Sequence, residues 1–399
     1  MLKFPSNALP AHIDDFLLAM GNGEPQSLWM PVKLSHGGSL GAAPQAVQAI
    51  ATWAQAQSNR VLQLAHPYGT SLDTQNRFAR TLPGMTALYF TDKVESGETT
   101  LFRYDALRAV APLVKAMDSG DFGSTVRGQA AALVCFAGAR SEFLNPLYSR
   151  SEPDTVRGSS DFRALLRRLL HTLSGGLADQ LDDTQLSLLS SLVYQLFLNT
   201  DQHGAFDVTG RRYDVGVRGI SVKLTAVSDR RDLIALAGED TPLKAYLTKS
   251  AVVKSQDEIG QKLEDRPLNE RHGRPVRLIE LSVFDTGPGM GLRWLSKKTG
   301  VQSYEQISVD EELAAVRECF EKHSTTKSVQ NAGVGLYTAL NAMAKLNAFM
   351  TLRTGRMSLY QDFSTLHAPS NFSPRPRRPK GQAAPRIAGT GYTICFKVS

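Results

Sequence analysis

The run RLIELSVFD at 277–285 passes without a break into DTGPGMG at 285–291. An apolar stretch of this kind, rich in Leu, Ile, Val and Phe, reads as a strand buried in a sheet. It delivers a carboxylate, Asp285, at its end. Such a group accepts a hydrogen bond from an exocyclic amine of the kind adenine carries. Gly287 and Gly289 follow at alternate positions and let the backbone pass close to a flat ring. Alone, the pattern also describes an ordinary turn, so its weight depends on what the chain places around it.

Downstream, HSTTKSVQNAGVGLYTALNAMAKL (323–346) is a polar, glycine-containing loop that runs into an amphipathic helix. Gly333-Val334-Gly335-Leu336 sits at the helix start. Exposed backbone N–H groups there favour an anion, which makes a phosphate cradle; the competing reading is a glycine-rich turn before a core helix. Upstream, Asp182 and Gln185 form a capping box. Leu186, Leu189, Val193 and Leu196 then repeat at helical spacing. That helix ends in LVYQLFLNTDQHG (192–204). Gln195 and Asn199 are four apart and share a face offset from the apolar stripe. An amide oxygen is a good ligand for Mg²⁺, which takes oxygen donors from protein and phosphate and keeps most of its waters.

The first 150 residues alternate. Strands are expected at 28–34, 60–65, 86–92 and 131–138, and helices at 42–57 and 104–117, which makes a small α/β domain. Gly37, Gly38 and Gly41 lie between a strand and a helix. Without a following Lys-Ser/Thr or G-x-G-x-x-G spacing they read as a tight turn rather than a phosphate loop. A polar linker covers 149–161. A helix follows at 161–173, stopped by Gly175-Gly176. A strand or strand pair spans 215–227, a charged helical segment runs to about 274, and another helix covers 310–322. Strands close the chain at 348–355, 358–366 and 391–399.

A chain of 399 residues is long enough for two domains. No apolar run approaches the roughly 20 residues of a membrane span, and the N-terminus has no signal-peptide pattern. Cys135, Cys319 and Cys395 are far apart, so neither a zinc site nor a disulfide framework is indicated. A cytoplasmic protein is the simplest expectation. The net charge of +7 is mostly dispersed. One dense cluster, Arg375 to Lys380, leaves nucleic acid open as a partner, against the plainer reading of a solvated loop.

The three boxes occur in a fixed order: helix with Asn199, strand into Asp285-x-Gly287-x-Gly289, lid, glycine pair into a helix, closing strands. In this the chain resembles the GHKL superfamily of gyrase B subunits, Hsp90, histidine kinases and MutL, over roughly residues 160–399. The resemblance implies an α/β (α+β) chain. Its C-terminal part would be a Bergerat α/β sandwich with a mixed, largely antiparallel sheet, carrying an insertion at about 228–274. A smaller N-terminal α/β domain at 1–150 would sense a signal or bind a partner. By the same resemblance the ligands are ATP and Mg²⁺. Asn199 would hold the metal and Asp285 would read the adenine amino group. Gly287, Gly289 and Met290 would line the base. Gly333, Val334, Gly335 and Leu336 would wrap the phosphates, with Lys327 reaching them from the lid. Thr393 would support adenine through water, with Thr390 competing for that place.

One departure bears on catalysis. ATPase members of the superfamily carry Glu four residues before the Asn, and here that residue is Gln195. An amide cannot take a proton from water. Either hydrolysis is slow, or another group such as His203 or Asp201 serves as base, or a glutamate has been exchanged for glutamine, which traps nucleotide. The expected activity is Mg-dependent ATP binding and slow hydrolysis. It would drive a conformational switch on a protein partner, a second copy or the N-terminal domain. The alternatives are a protein kinase of histidine-kinase or anti-sigma type and a non-hydrolysing nucleotide module. His171 lies on a short basic helix and is followed by Thr172 rather than an acid, so it fits a phosphoacceptor poorly.

Overall fold

The computed structural model describes residues 1–399 except 22–25, 32, 35–39, 66–76, 258–275, 322–334, 365–371 and 399. Gly37, Gly38, Lys327, Gly333, Val334 and the end of the 228–274 insertion therefore lie outside the described residues.

Among the described residues the chain is mixed α/β and builds two sheets. The smaller has the order β1 (Leu2–Lys3), β2 (Leu28–Met30), β3 (Val61–Leu64), β4 (Lys93–Ser96), β5 (Thr99–Phe102). Its first three pairings are parallel and the last is antiparallel. Helices α1 (Pro10–Ala19), α2 (Ala42–Gln55) and α3 (Leu82–Phe90) accompany it, followed by α4 (Arg103–Leu107) and α5 (Ala111–Ser119).

The larger sheet contains β6 (Ala130–Phe136), β7 (Val217–Val227), β8 (Val276–Asp285), β9 (Phe349–Gly355), β10 (Met357–Asp362), β11 (Arg375–Pro376) and β12 (Ile387–Val398). Their order is β11-β10-β9-β12-β8-β7-β6, and every pairing is antiparallel. Its helices are α6 (Ser159–Leu173), α7 (Asp183–Asn199), α8 (Arg230–Ala235), α9 (Thr241–Asp257), α10 (Met290–Thr299), α11 (Val309–Glu318) and α12 (Gly335–Lys345).

Three expectations change. TALYFTD is not a strand but the end of α3. Thr81 caps that helix by accepting the Gly84 N–H at 2.9 Å, proline sits in its first turn, and every residue from Pro83 to Phe90 is buried. A short apolar run buried on all sides carries no period, so strand and helix look alike in sequence. The helix expected at 104–117 is two helices, with Pro112 restarting the second. The strand at Ala130–Phe136 does not join the N-terminal sheet. It pairs with β7 along its whole length, so the large sheet takes a strand from upstream of residue 160 and is wholly antiparallel rather than mixed. The strand at 215–227 is one long strand, and the Asp182/Gln185 capping box forms as read.

Side chains alternate across the large sheet. On β8, Ile279, Leu281, Val283 and Asp285 share one face; Leu278, Glu280 and Ser282 share the other. The first face belongs to the core that also holds α6, α7 and α12. The second is covered by α8 and the start of α9, where Leu233, Leu243 and Leu247 cluster with Leu278, Phe349 and Cys395. The Tyr246 hydroxyl there donates toward the carbonyls of Asn347 and Cys395, 3.2 Å from each. Helix α2 also packs on strands β8 and β12, and its alanines at 46, 49, 51 and 54 are all buried. Buried along most of its length, α2 lies between α3 and strand β12.

Charge fastens the same junction. Asp14 on α1 pairs with the buried Arg353 of β9 at 3.1 Å and with Arg378 at 2.7 Å. Arg377 pairs with Asp240, between α8 and α9, at 2.6 Å. Two cations of the 375–380 cluster thus act as staples, which leaves Arg375 and Lys380 exposed and shrinks the surface available to a nucleic acid. Removing Asp14 strands the Arg353 charge, although three backbone carbonyls still accept from it. Asp14→Ala is accordingly expected to lower stability by about 2 kcal/mol, below the usual cost of breaking a buried pair; chemical denaturation against wild type measures it.

Candidate functional site

The capped helix α7 ends at Asn199, and the chain continues through a wide π-type turn, Thr200–Gly204. The Thr200 hydroxyl closes the helix end onto the Phe197 carbonyl at 2.7 Å. The Asn199 amide NH₂ donates back to the Gln195 carbonyl at 3.0 Å, which turns its oxygen away from the helix backbone. Gln195 reaches toward α12. A side chain on Gly335, the first residue of that helix, would collide with the Gln195 amide oxygen. The structure therefore brings Gln195, Asn199 and Gly335 together, with Leu336 half-buried one residue on.

Asp201 has a different task. Its Oδ1 accepts from the Tyr148 hydroxyl at 2.7 Å and lies 3.1 Å from Nε of Arg218. Arg218 is buried and also bonds Glu142 at 3.0 Å, and Glu142 pairs in turn with Arg212. This network anchors the turn to β7, and a carboxylate so committed is poorly placed to act as a general base. His203 lies half-buried in the same turn.

Asp285 sits where the turn meets the sheet. Its Oδ1 accepts the N–H of Gly287 at 2.9 Å and of Thr390 at 3.2 Å. Among the described residues its other oxygen accepts no hydrogen bond. Burial pushes the Asp285 carboxyl up to about 7; those two N–H groups and the nearby Arg218 charge act against the rise. Glycines enclose it. A Cβ on Gly204 would overlap the Asp285 side chain, one on Gly287 would press on the Gly204 backbone, and one on Gly389 would overlap the Asp285 carbonyl. Gly389 also has a φ of 73°, and its N–H bonds the Gly287 carbonyl at 2.6 Å. Gly289 has a φ of 88° and starts α10; the next N–H, of Met290, is accepted by Thr354 Oγ1 at 2.8 Å.

The threonine is decided by the faces of the sheet. Thr393 Oγ1 lies 2.9 Å from Ser282 Oγ, and a side chain on Gly41 at the start of α2 would meet it at 2.8 Å. Ser282 and Asp285 are an odd number apart on one strand, so Thr393 lies on the face opposite the carboxylate. Thr390, three residues earlier on the same regularly paired stretch, is on the carboxylate's face, 3.0 Å from Thr354 Oγ1. Thr390 thus replaces Thr393 at this site. Gly204, Thr354 and Gly389 join it as residues that sequence reasoning missed. Gly204 was visible at the end of LVYQLFLNTDQHG; the other two are distant in sequence and carry no signal.

No cluster of three or more His, Cys, Asp or Glu side chains capable of holding a metal occurs among the described residues. The outward amide oxygen of Asn199 fits Mg²⁺ that draws its other ligands from phosphate and water. No helix among the described residues is long and apolar enough to cross a membrane. No family model matches the chain, and neither does any curated protein or solved structure.

Proposed function

We propose that this chain binds ATP with Mg²⁺ in a Bergerat-type site of the GHKL superfamily and uses the bound nucleotide as a conformational switch. The observation that carries the reading is the state of Asp285. It is a buried carboxylate with one oxygen pinned by two backbone N–H groups and the other left to accept a donor, ringed by Gly204, Gly287 and Gly389. That arrangement suits the edge of a flat base carrying an amino group. Asn199 would hold Mg²⁺, which supplies charge neutralisation at the phosphates. Gly335 and the loop before it would meet those phosphates at the N-terminus of α12.

A second reading is favoured by two observations. Gln195 occupies the position beside Gly335 where a proton acceptor would be needed, and Asp201 is held by Arg218. Both point to a module that holds ATP and turns it over slowly or not at all. Nucleotide retention would then signal to a protein partner or a second copy of the chain.

The test is calorimetric. An amine donor favours the ionised form of the carboxyl it meets. With Asp285 near 7 in the free chain, ATP binding is expected to release up to one proton at pH 6–7. Affinity should rise as pH increases from 6 to 8. GTP, which offers a carbonyl in place of the amine, should not compete. Equal affinity for ATP and GTP would remove the basis of the reading.

A further inference from the structure

The back of this site is held by the N-terminal part of the chain. Helix α2 grips the backbone around Asp285 through three side chains. The Gln55 amide donates to the Thr286 carbonyl at 2.8 Å, the carbonyl immediately after Asp285. The Thr52 hydroxyl accepts the Ala388 N–H at 2.8 Å. The Gln48 amide, wholly buried, donates to the carbonyls of Ala388 at 3.0 Å and Arg353 at 3.2 Å. Ala388 precedes Gly389, which packs on the Asp285 carbonyl and bonds Gly287. Both backbone segments that fix the carboxylate, 285–287 and 388–390, are therefore tied from behind to one helix of the other sheet's unit.

We infer that Thr52 and Gln55 of α2 are positioning residues for the Asp285 site, so that the N-terminal unit sets how firmly the site holds its ligand. The geometry gives the reason. Oδ1 of Asp285 is aimed by the N–H groups of Gly287 and Thr390, and each lies within two residues of a backbone group that α2 grips. Release of that grip frees Thr286 and Ala388 to shift, and the pinned carboxyl shifts with them. Coupling of this kind is reciprocal: a ligand on Asp285 also strengthens the hold of α2. A signal received by the N-terminal sheet thus has a direct mechanical route to the site. The nucleotide part of this inference rests on the ATP reading; the positioning part does not.

The experiment uses the full chain with Thr52→Val and Gln55→Met together. These substitutions remove the acceptor and the donor, keep side-chain volume, and leave the buried alanines of α2 untouched. Hydrogen–deuterium exchange without ligand is expected to speed up about tenfold over 285–292 and 386–391 while β2 and β3 keep their wild-type rates. ATP affinity is expected to fall about tenfold while inorganic tripolyphosphate binds as before, because α2 does not touch the phosphate end. Thr52→Ser with native Gln55 should restore wild-type behaviour. Unchanged exchange over the two segments would overturn the inference, and so would a uniform acceleration that includes β2 and β3. If the wild-type chain binds no ATP, the nucleotide reading falls and the exchange pattern alone decides the positioning role.

Discussion

Asp285→Asn is expected to weaken ATP binding at least about a thousandfold, because a site built to pair one donor rejects a donor–donor clash. The direction follows from how the carboxyl is held. Oδ1 is fixed by the N–H groups of Gly287 and Thr390. The asparagine oxygen must take that place, which turns the amide NH₂ toward the ligand's own amine. The same substitution is expected to stabilise the chain. Burial raises the carboxyl to about 7, against about 4 in an unfolded chain. The folded state therefore holds its proton over a range where the unfolded chain has lost it. This stability is whole below pH about 4 and is lost as pH rises through about 7. Removing the ionisable group should raise the melting temperature more at pH 8 than at pH 5. Calorimetric titration with ATP and thermal scans at the two pH values check both halves. Retention of ATP affinity would sink the assignment of Asp285, whatever the melting temperature does.

The sequence exposes the residues of this site unevenly, for physical reasons. Asp285 and Gly287 are legible because a long apolar strand ends on them. Asn199 and Gln195 are legible because helical spacing places them on one face. Thr390 is not, since choosing between it and Thr393 requires knowing which β12 residue stands opposite Asp285, and that pairing exists only in the folded sheet. Gly204 could be seen but not interpreted, because its closeness to Asp285 exists only once the turn has folded onto the sheet. The same limit hid the junction between the two sheets. The sequence shows α2 as an alanine-rich helix of a separate small domain. Its buried Gln48, bonded to the carbonyls of Arg353 and Ala388, is what makes it part of the larger sheet's back face. Helix α3 was misread for the opposite reason: burial on all sides erases the period that distinguishes helix from strand.

The largest gain expected from a single substitution is at Gln195. Gln195→Glu should raise the rate of phosphate release from ATP about a hundredfold, the lower range for a well-placed general base, with ATP affinity changed little. The position can accept the charge. The Gln195 side chain lies at the first residue of α12, and a helix N-terminus stabilises a carboxylate. It also sits one helical turn before Asn199, and so close to where the metal and the phosphates would be. Asp201 is not placed to replace it. Asp201 is spent on Tyr148 and Arg218, so Asp201→Asn is a test of folding rather than of chemistry. A single-turnover assay of released phosphate, run on wild type and variant at matched nucleotide occupancy, separates the two readings. A large increase means that the scaffold positions water for attack and that the amide at 195 alone restrains it, which fits an ATP-driven switch with slow turnover. An unchanged rate means that no attacking water is held there, and the chain then acts by holding nucleotide rather than by consuming it.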